Sequence, residues 1–434
     1  MINVIARFMP ALAPARLLDF SPAVQRALRI DVSVVLLFTL FTGLTTPFTG
    51  LILRRELGAS AFQLSVLASA GAACLLLSLA LARAVDSRRP LPWVVWPNFV
   101  ARGLFVLAPF VTTPWPFVGV LVAGTLLGTI SGPAQAALVE QVYPREERGR
   151  ALGTVRVIGA IVAIGLALAT GALFGHFGYR WVFVVAGVAG MLAALRQRSL
   201  PVPPETAPAE RPRARLREAW HWVREDAAFQ RVLLASSVFG TGIWLMMPAN
   251  PILLADVMRA TPGQVGGLSA AAAMAALFGN LMWGRLVDRD SSVRALRVVY
   301  ALGTLTPLIY FVVSLVARSP WALLGASVIE SLMHTGLDLV WMLTMIELGG
   351  RRGRTTEYAA IGATLAGVRG IAGPLLSALV IETLGVRAVY VLAAGLMAAG
   401  SWLARHPQKT PRYIEQPAHT SGGRLVMSAA RNAS

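Results

Sequence analysis

Runs of about 20 apolar residues, parted by short polar breaks, recur from residue 30 to residue 404 of this chain. A single run of that kind can be a core helix of a soluble domain. Twelve in succession leave too little polar material to cover them, with charged residues at 14% and a mean hydropathy of +0.64. In a bilayer every backbone N–H and C=O must be satisfied within the segment, so such runs are helices. The breaks place the spans at 30–53, 60–82, 92–111, 117–139, 152–174, 180–196, 231–254, 264–284, 296–317, 320–346, 358–382 and 387–404. The expected fold class is an all-α membrane protein of twelve transmembrane helices.

Charge then sets topology. The net charge of +18 comes from 39 Lys and Arg residues against 21 Asp and Glu, and Lys409 is the single lysine. A nucleic-acid surface would gather these cations on one module among aromatic residues. Here they occupy alternate connectors, so no nucleic-acid partner is expected. About thirty of the 39 lie in the N-terminal tail, the even-to-odd connectors and the C-terminal tail, while Arg54, Arg55, Arg180, Arg259, Arg318 and Arg387 lie on the opposite side. That bias predicts a multi-pass protein of the cell inner membrane with both termini cytoplasmic. Residues 1–29 carry Arg7, Arg16, Arg26 and Arg29 without a cleavage site, which reads as a cytoplasmic tail before an uncleaved anchor. The remaining expected units are a six-helix bundle over 30–196, a linker over 197–230, a second bundle over 231–404 and a tail over 405–434. The linker opens with Pro201, Pro203, Pro204, Pro208 and Pro212 and ends in Leu216–Arg224, a helix at the membrane interface or a solvated linker helix. One cysteine, Cys74, excludes an intrachain disulfide.

The two halves repeat. At an offset of 201, Pro47, Ala59, Ser60, Gln63 and Leu67 match Pro248, Ala260, Thr261, Gln264 and Leu268. Arg83 and Asp86 match Arg285 and Asp288 at 202; Glu140 matches Glu347, and Gly178-Tyr179-Arg180 matches Gly385-Val386-Arg387, at 207. Parallel six-helix repeats are one plan for secondary transporters. Part of the repeat is local chemistry: Ser60-x-x-Gln63 and Thr261-x-x-Gln264 are capping boxes for spans two and eight.

The connector Gly284-Arg285-Leu286-Val287-Asp288-Arg289 resembles the loop signature of the major facilitator superfamily, and Ala82-Arg83-Ala84-Val85-Asp86-Ser87-Arg88-Arg89 is a degraded first copy of it. Glu140, Arg145, Glu146, Arg148, Gly149 and Arg150 resemble the family's segment joining helices four and five, and Gly178–Phe183 its entry into helix six. The resemblance implies two pseudo-symmetric six-helix bundles working by alternating access. It also implies a cytoplasmic gate built from Asp86, Arg88, Arg89, Glu140, Arg150, Gly284, Asp288, Arg289 and Glu347. Breaking such a charge network would let the protein open inward.

Ionisable residues within spans point to function, since a charge at bilayer depth is costly. Glu330, His334 and Asp338 lie at i, i+4 and i+8 of span ten, on an arc of about 80° climbing ~12 Å. Proton coupling is the leading reading, because buried carboxylates and histidine titrate near neutrality. Substrate binding and a structural hydrogen-bonded network are the alternatives. One helix face spread over that height cannot surround an ion, so no metal site is assigned. Arg369 in span eleven needs a partner; Glu330, Asp338 or an anionic substrate would serve. Arg102 in span three is expected to turn inward to a neighbouring helix. Trp341, Trp244, Met247, Asn250 and Thr46 are softer candidates for the substrate cavity.

No Gly-Lys pair is present for a phosphate loop, and neither a G-x-S-x-G elbow nor an H-E-x-x-H motif occurs. No catalytic residue, cofactor or enzyme activity is therefore expected. The partners expected are a small-molecule substrate, protons and the lipid bilayer, for a monomeric secondary transporter. Export of an organic cation or amphipathic compound by antiport is the leading direction. Uptake of a sugar or organic acid, or a binding or assembly protein that lost transport, are the rivals.

Overall fold

A computed structural model describes residues 20–84, 89–202, 226–289, 291–317, 319–350 and 355–405; the side chains of 78–84 and Thr356 are left aside. Its helices are α1 (Pro22–Arg55), α2 (Ala61–Ala84), α3 (Pro90–Leu107), α4 (Pro114–Thr129), α5 (Ser131–Val142) and α6 (Arg145–Gln197). The second half supplies α7 (Ala227–Ile252), α8 (Pro262–Arg289), α9 (Ser292–Val316), α10 (Leu324–Gly350), α11 (Thr355–Leu384) and α12 (Val386–Arg405). Ten helical stretches among the described residues are long and apolar enough to cross a membrane, and α2 is a further apolar helix.

The helices do not map one-to-one onto the spans read from hydropathy. Span four is interrupted at Ile130, between α4 and α5. Pro133 explains the break: it has no N–H to offer the carbonyl of Thr129, the last residue of α4. Spans five and six are the two arms of α6, parted at Gly178 within the break expected at 175–179. Gly178, at φ 67° and ψ 164°, folds that helix into two arms, a backbone turn that a residue with a Cβ rarely makes. α7 continues through a π-helical turn, Leu253–Val257, where Met258 N–H reaches the Leu253 carbonyl at 2.9 Å.

Local chemistry starts the helices where it was expected to. Gln63 Oε1 accepts from Ser60 N–H at 2.8 Å while Ser60 Oγ accepts from Gln63 N–H at 3.2 Å. The repeat partner does the same, with Thr261 N–H to Gln264 Oε1 at 2.9 Å and Gln264 N–H to Thr261 Oγ1 at 3.3 Å. Asp226 caps α7 by accepting from Ala228 and Phe229 N–H. Ser21, ahead of α1, donates its N–H and hydroxyl to Glu147 at 2.9 and 2.7 Å, tying the start of α1 to the start of α6. Those two bonds hold the Glu147 carboxyl below the usual carboxylate range.

The halves meet at the end carrying residues 56–60 and 258–261, here called the distal end. There the first arm of α6 packs on α8, and α2 packs on α11. A Cβ on Gly171 would lie 2.9 Å from the Gly263 Cα, and one on Gly266 would overlap Thr170 Oγ1 and the Ala167 carbonyl. At mid-height Ser69 Oγ donates to the Ile371 carbonyl at 3.2 Å, and a Cβ on Gly367 would lie 2.7 Å from Leu76 Cδ2. Ile252, Ala255, Ala260, Val265 and Ala378 from the second half join Phe48, Leu51 and Phe174 of the first in one buried cluster. Small residues thus let helix backbones from the two halves approach closely.

Candidate functional site

Between the halves lies a cavity of about 970 Å³. It is closed at the distal end and lined down to Asp31, Val139, Leu152, Val155 and Gln197, all near the end where α1 begins. Residues of α1 to α6 make most of the wall, and the second half supplies α7 and the turn after it, through Met247, Pro248, Asn250, Pro251 and Leu254.

The polar groups of the wall fall into a ladder. Near its mouth Asp31 accepts a hydrogen bond from the buried Tyr143 hydroxyl. Gln197 Nε2 donates to Gln135 Oε1 at 2.9 Å. Deeper, Arg102 donates from Nη1 to the Gly190 carbonyl at 2.8 Å and lies over the Phe38 and Phe41 rings at 4.8 and 5.9 Å. Arg102 therefore does turn inward, to the second arm of α6 and to α1. Thr45, Thr46 and Thr49 line the upper wall of α1, where Thr45 and Thr49 return their hydroxyls to carbonyls of their own helix. From α7, Asn250 adds a polar group to the wall.

Behind the wall, Asn250 leads to a carboxylate. Its Nδ2 lies 3.4 Å from Glu330 Oε1, a long hydrogen bond, and Tyr310 donates to Glu330 Oε2 at 2.8 Å. Tyr390 donates to Asn250 Oδ1 at 3.1 Å, and the Tyr310 and Tyr390 rings stack at 5.3 Å. Four helices, α7, α9, α10 and α12, thus converge on one acidic group beside the cavity.

The other candidates fall elsewhere. Thr46, Met247 and Asn250 line the cavity; Trp244, Trp341, Glu330, His334, Asp338 and Arg369 do not. His334 and Asp338 are exposed. Their helix face lies between a flank packed on α8, where Trp283 Nε1 donates to the Leu332 carbonyl at 2.8 Å, and a flank where Trp341 fills the notch at Gly362 of α11. Since α8 and α11 both pack on the first half, this face between them looks toward it. Trp244 packs against Gly370 and Gly373 of α11. Arg369 takes neither Glu330 nor Asp338 as partner. It slots against Gly240 and donates from Nη1 to the Ser236 carbonyl at 2.5 Å, leaving Nε without an acceptor among the described residues.

Of the expected gate, Asp86 and Arg88 lie outside the described residues, as does the expected interfacial helix Leu216–Arg224. Arg89, Glu140, Arg150, Asp288 and Arg289 are exposed, and Asp288 has no ion pair among the described residues. Arg150 lies over the Phe20 ring at 5.3 Å. Gly284 has open space where a Cβ would project. Glu347 accepts from Ser292 N–H and Oγ at 3.1 and 2.5 Å, capping α9. The opposite end carries the one ion pair among the described residues. Arg54, at the end of α1, grips both carboxylate oxygens of Asp256, with Nη2 to Oδ2 at 2.6 Å and Nε to Oδ1 at 3.1 Å.

Asp31, Gln135, Gln197, Asp256, Tyr310 and Tyr390 escaped the sequence reading of the site. Asp31 had a signal: it is the one carboxylate inside the six N-terminal spans as read from the sequence. It was obscured by lying two residues after Arg29, at the edge of its span.

Comparison with known proteins settles the class. The description of the Major Facilitator Superfamily matches twice, over residues 32–240 and 232–430. The chain belongs to the Major Facilitator Superfamily. Members of that superfamily are membrane transporters, so the chain is a multi-pass membrane protein of the transporter type with a small-molecule substrate. Among curated relatives, the multidrug resistance protein MdtG of Salmonella paratyphi C (strain RKS4594) is 27% identical over 306 residues, covering 65% of this chain and 69% of the relative. MdtG of Salmonella typhimurium is 26% identical over the same length. Two solved superfamily folds are similar. A bacterial homologue of the human lysosomal transporter Spinster, inward-facing and occupied, aligns with TM-score 0.64 and 13% identity over 89% of this chain and 97% of its own. The nucleoside transporter NupG aligns with TM-score 0.66 and 12% identity over 87% and 98%.

Proposed function

We propose that this protein is a proton-coupled secondary transporter of the inner membrane that exports amphipathic small molecules by alternating access. The observation that carries the coupling reading is the Glu330 cluster: a carboxylate held by Tyr310 and Asn250, where Asn250 also lines the cavity. Protonation of Glu330 would remove an acceptor from Tyr310 and Asn250, and so change how α7 and α10 hold the closed end. Substrate entering beside Asn250 would act on the same groups, which is a direct route for competition between proton and substrate.

The arginine distribution supports placing the open end of the cavity in the cytoplasm, which makes this an inward-facing state. An exposed Asp288 suits a cytoplasmic latch that is disengaged in that state, while Arg54–Asp256 holds the distal end shut. The likeness to proteins named for multidrug resistance supports export of drug-like compounds. His334 and Asp338, on the face of α10 that looks across to the first half, are candidate relay groups for protons leaving Glu330.

Purified protein in liposomes tests the reading. Wild type should move an amphipathic dye against its gradient when a pH gradient is imposed. Glu330→Gln should abolish the pH-driven component, by tenfold or more, and retain exchange of dye at equal pH. Undiminished pH-driven accumulation in Glu330→Gln would remove the coupling assignment.

A further inference from the structure

Arg102 is 9% exposed, at cavity depth, and its guanidinium carries five N–H donors. One of them meets a protein acceptor, the Gly190 carbonyl. No carboxylate among the described residues is within ion-pair distance of it. The fold accommodates this side chain closely: a Cβ on Gly190 would lie 2.8 Å from Arg102 Cδ and 3.1 Å from Cγ, so the helix opposite keeps a notch for the stem. The Phe38 and Phe41 rings take the charge on their faces. That contact offsets part of the cost of an unpaired cation, and leaves the remaining donors for something else. Arg369 is the useful contrast. It too lacks an acidic partner, yet it does not line the cavity.

We infer that Arg102 is the recognition point for an anionic group, a carboxylate or sulfonate, on a substrate whose aromatic or aliphatic body lies along Phe38, Phe41 and Phe105. All four residues line the cavity, and the Phe41 and Phe105 rings meet edge to face at 5.0 Å, forming an apolar corner beside the cation. A planar guanidinium fits a carboxylate with two parallel hydrogen bonds. The other charge on the cavity wall, Asp31, is engaged by Tyr143 and lies toward the mouth. The substrate class is thus amphipathic organic anions. This deepens the transporter reading and rests on it for the identity of the cavity, while making a separate claim about charge.

Binding of 1-pyrenebutyrate, 9-anthracenecarboxylate and 2-naphthoate to purified protein, each against its methyl ester, tests the claim without any flux. Wild type should prefer each acid over its ester by roughly tenfold or more, the range of a charge-assisted hydrogen bond. Arg102→Gln should lose that preference while keeping ester affinity, and Arg102→Lys should keep part of it. Wild type that does not distinguish acid from ester overturns the inference, whatever the variants do. So does an Arg102→Gln protein that is monodisperse and still prefers the acids. Should Arg102→Gln fail to fold, the wild-type acid preference together with its partial survival in Arg102→Lys decides. Acid-selective binding without movement across liposomes would uphold the site and sink the transporter reading; movement of esters and acids alike would do the reverse.

Discussion

Arg259 is held at φ 49°, a left-handed conformation in which a side chain costs about 1–2 kcal/mol. Its repeat partner at the 201 offset is Gly58, at φ 67°, so both halves make the same turn and one makes it with the wrong residue. Arg259→Gly should therefore stabilise the protein by about 1 kcal/mol, read as a rise of a few degrees in the midpoint of thermal unfolding in detergent; an unchanged or lower midpoint would contradict this account. Residue-scale features were legible where their cause is local. The two capping boxes need four neighbouring residues each, and both form. Partners set by tertiary packing were not. Which way Arg369 turns depends on the space that Gly240 leaves on α7, and that space has no signature in the sequence around Arg369.

At the scale of elements, the ends of α1 and α7 are clamped by Arg54 and Asp256. The pair is partly exposed and bidentate, which puts its worth at up to about 1 kcal/mol and its effect on a two-state equilibrium at about fivefold. Asp256→Asn should shift the protein toward opening at the distal end. In a Cys74→Ser background carrying Thr46→Cys, labelling by a membrane-impermeant maleimide from that side should quicken severalfold; an unaltered rate would show that the helix pairs alone hold the end shut. Hydropathy located the apolar stretches, but missed the interruption at Ile130 within span four. Gly178 folds α6 back inside the break expected at 175–179, whereas Pro133 stops α4 through one missing N–H inside a stretch that reads as one apolar span. The orientation of α10 was partly legible: periodicity put Glu330, His334 and Asp338 on one stripe, but only packing on α8, α9 and α11 separates the engaged Glu330 from the exposed pair.

For the molecule as a whole, the duplication and loop motifs carried the fold, because a superfamily plan is written in apolar runs and turn residues spread over the full length. The division of labour between halves was not legible. The acidic stripe drew attention to the second half, whereas the cavity is walled mostly by the first, out of Gly, Thr, Ala and Phe residues that look like ordinary membrane packing. Asn250 joins the two regions, touching Glu330 on one side and the cavity on the other. The distal connectors have a practical consequence. Among the described residues they are 56–60, 111–113, Gly178, 258–261 and Gly385, none long enough to be drawn into the cleft of a protease. Between α6 and α7 the sequence carries Arg213, Arg215 and Arg217. With the linker and both tails expected on the face opposite the distal end, trypsin added to one side of sealed vesicles should either cut the chain, near its middle included, or leave it whole, and that single digest reads out which way the molecule is threaded.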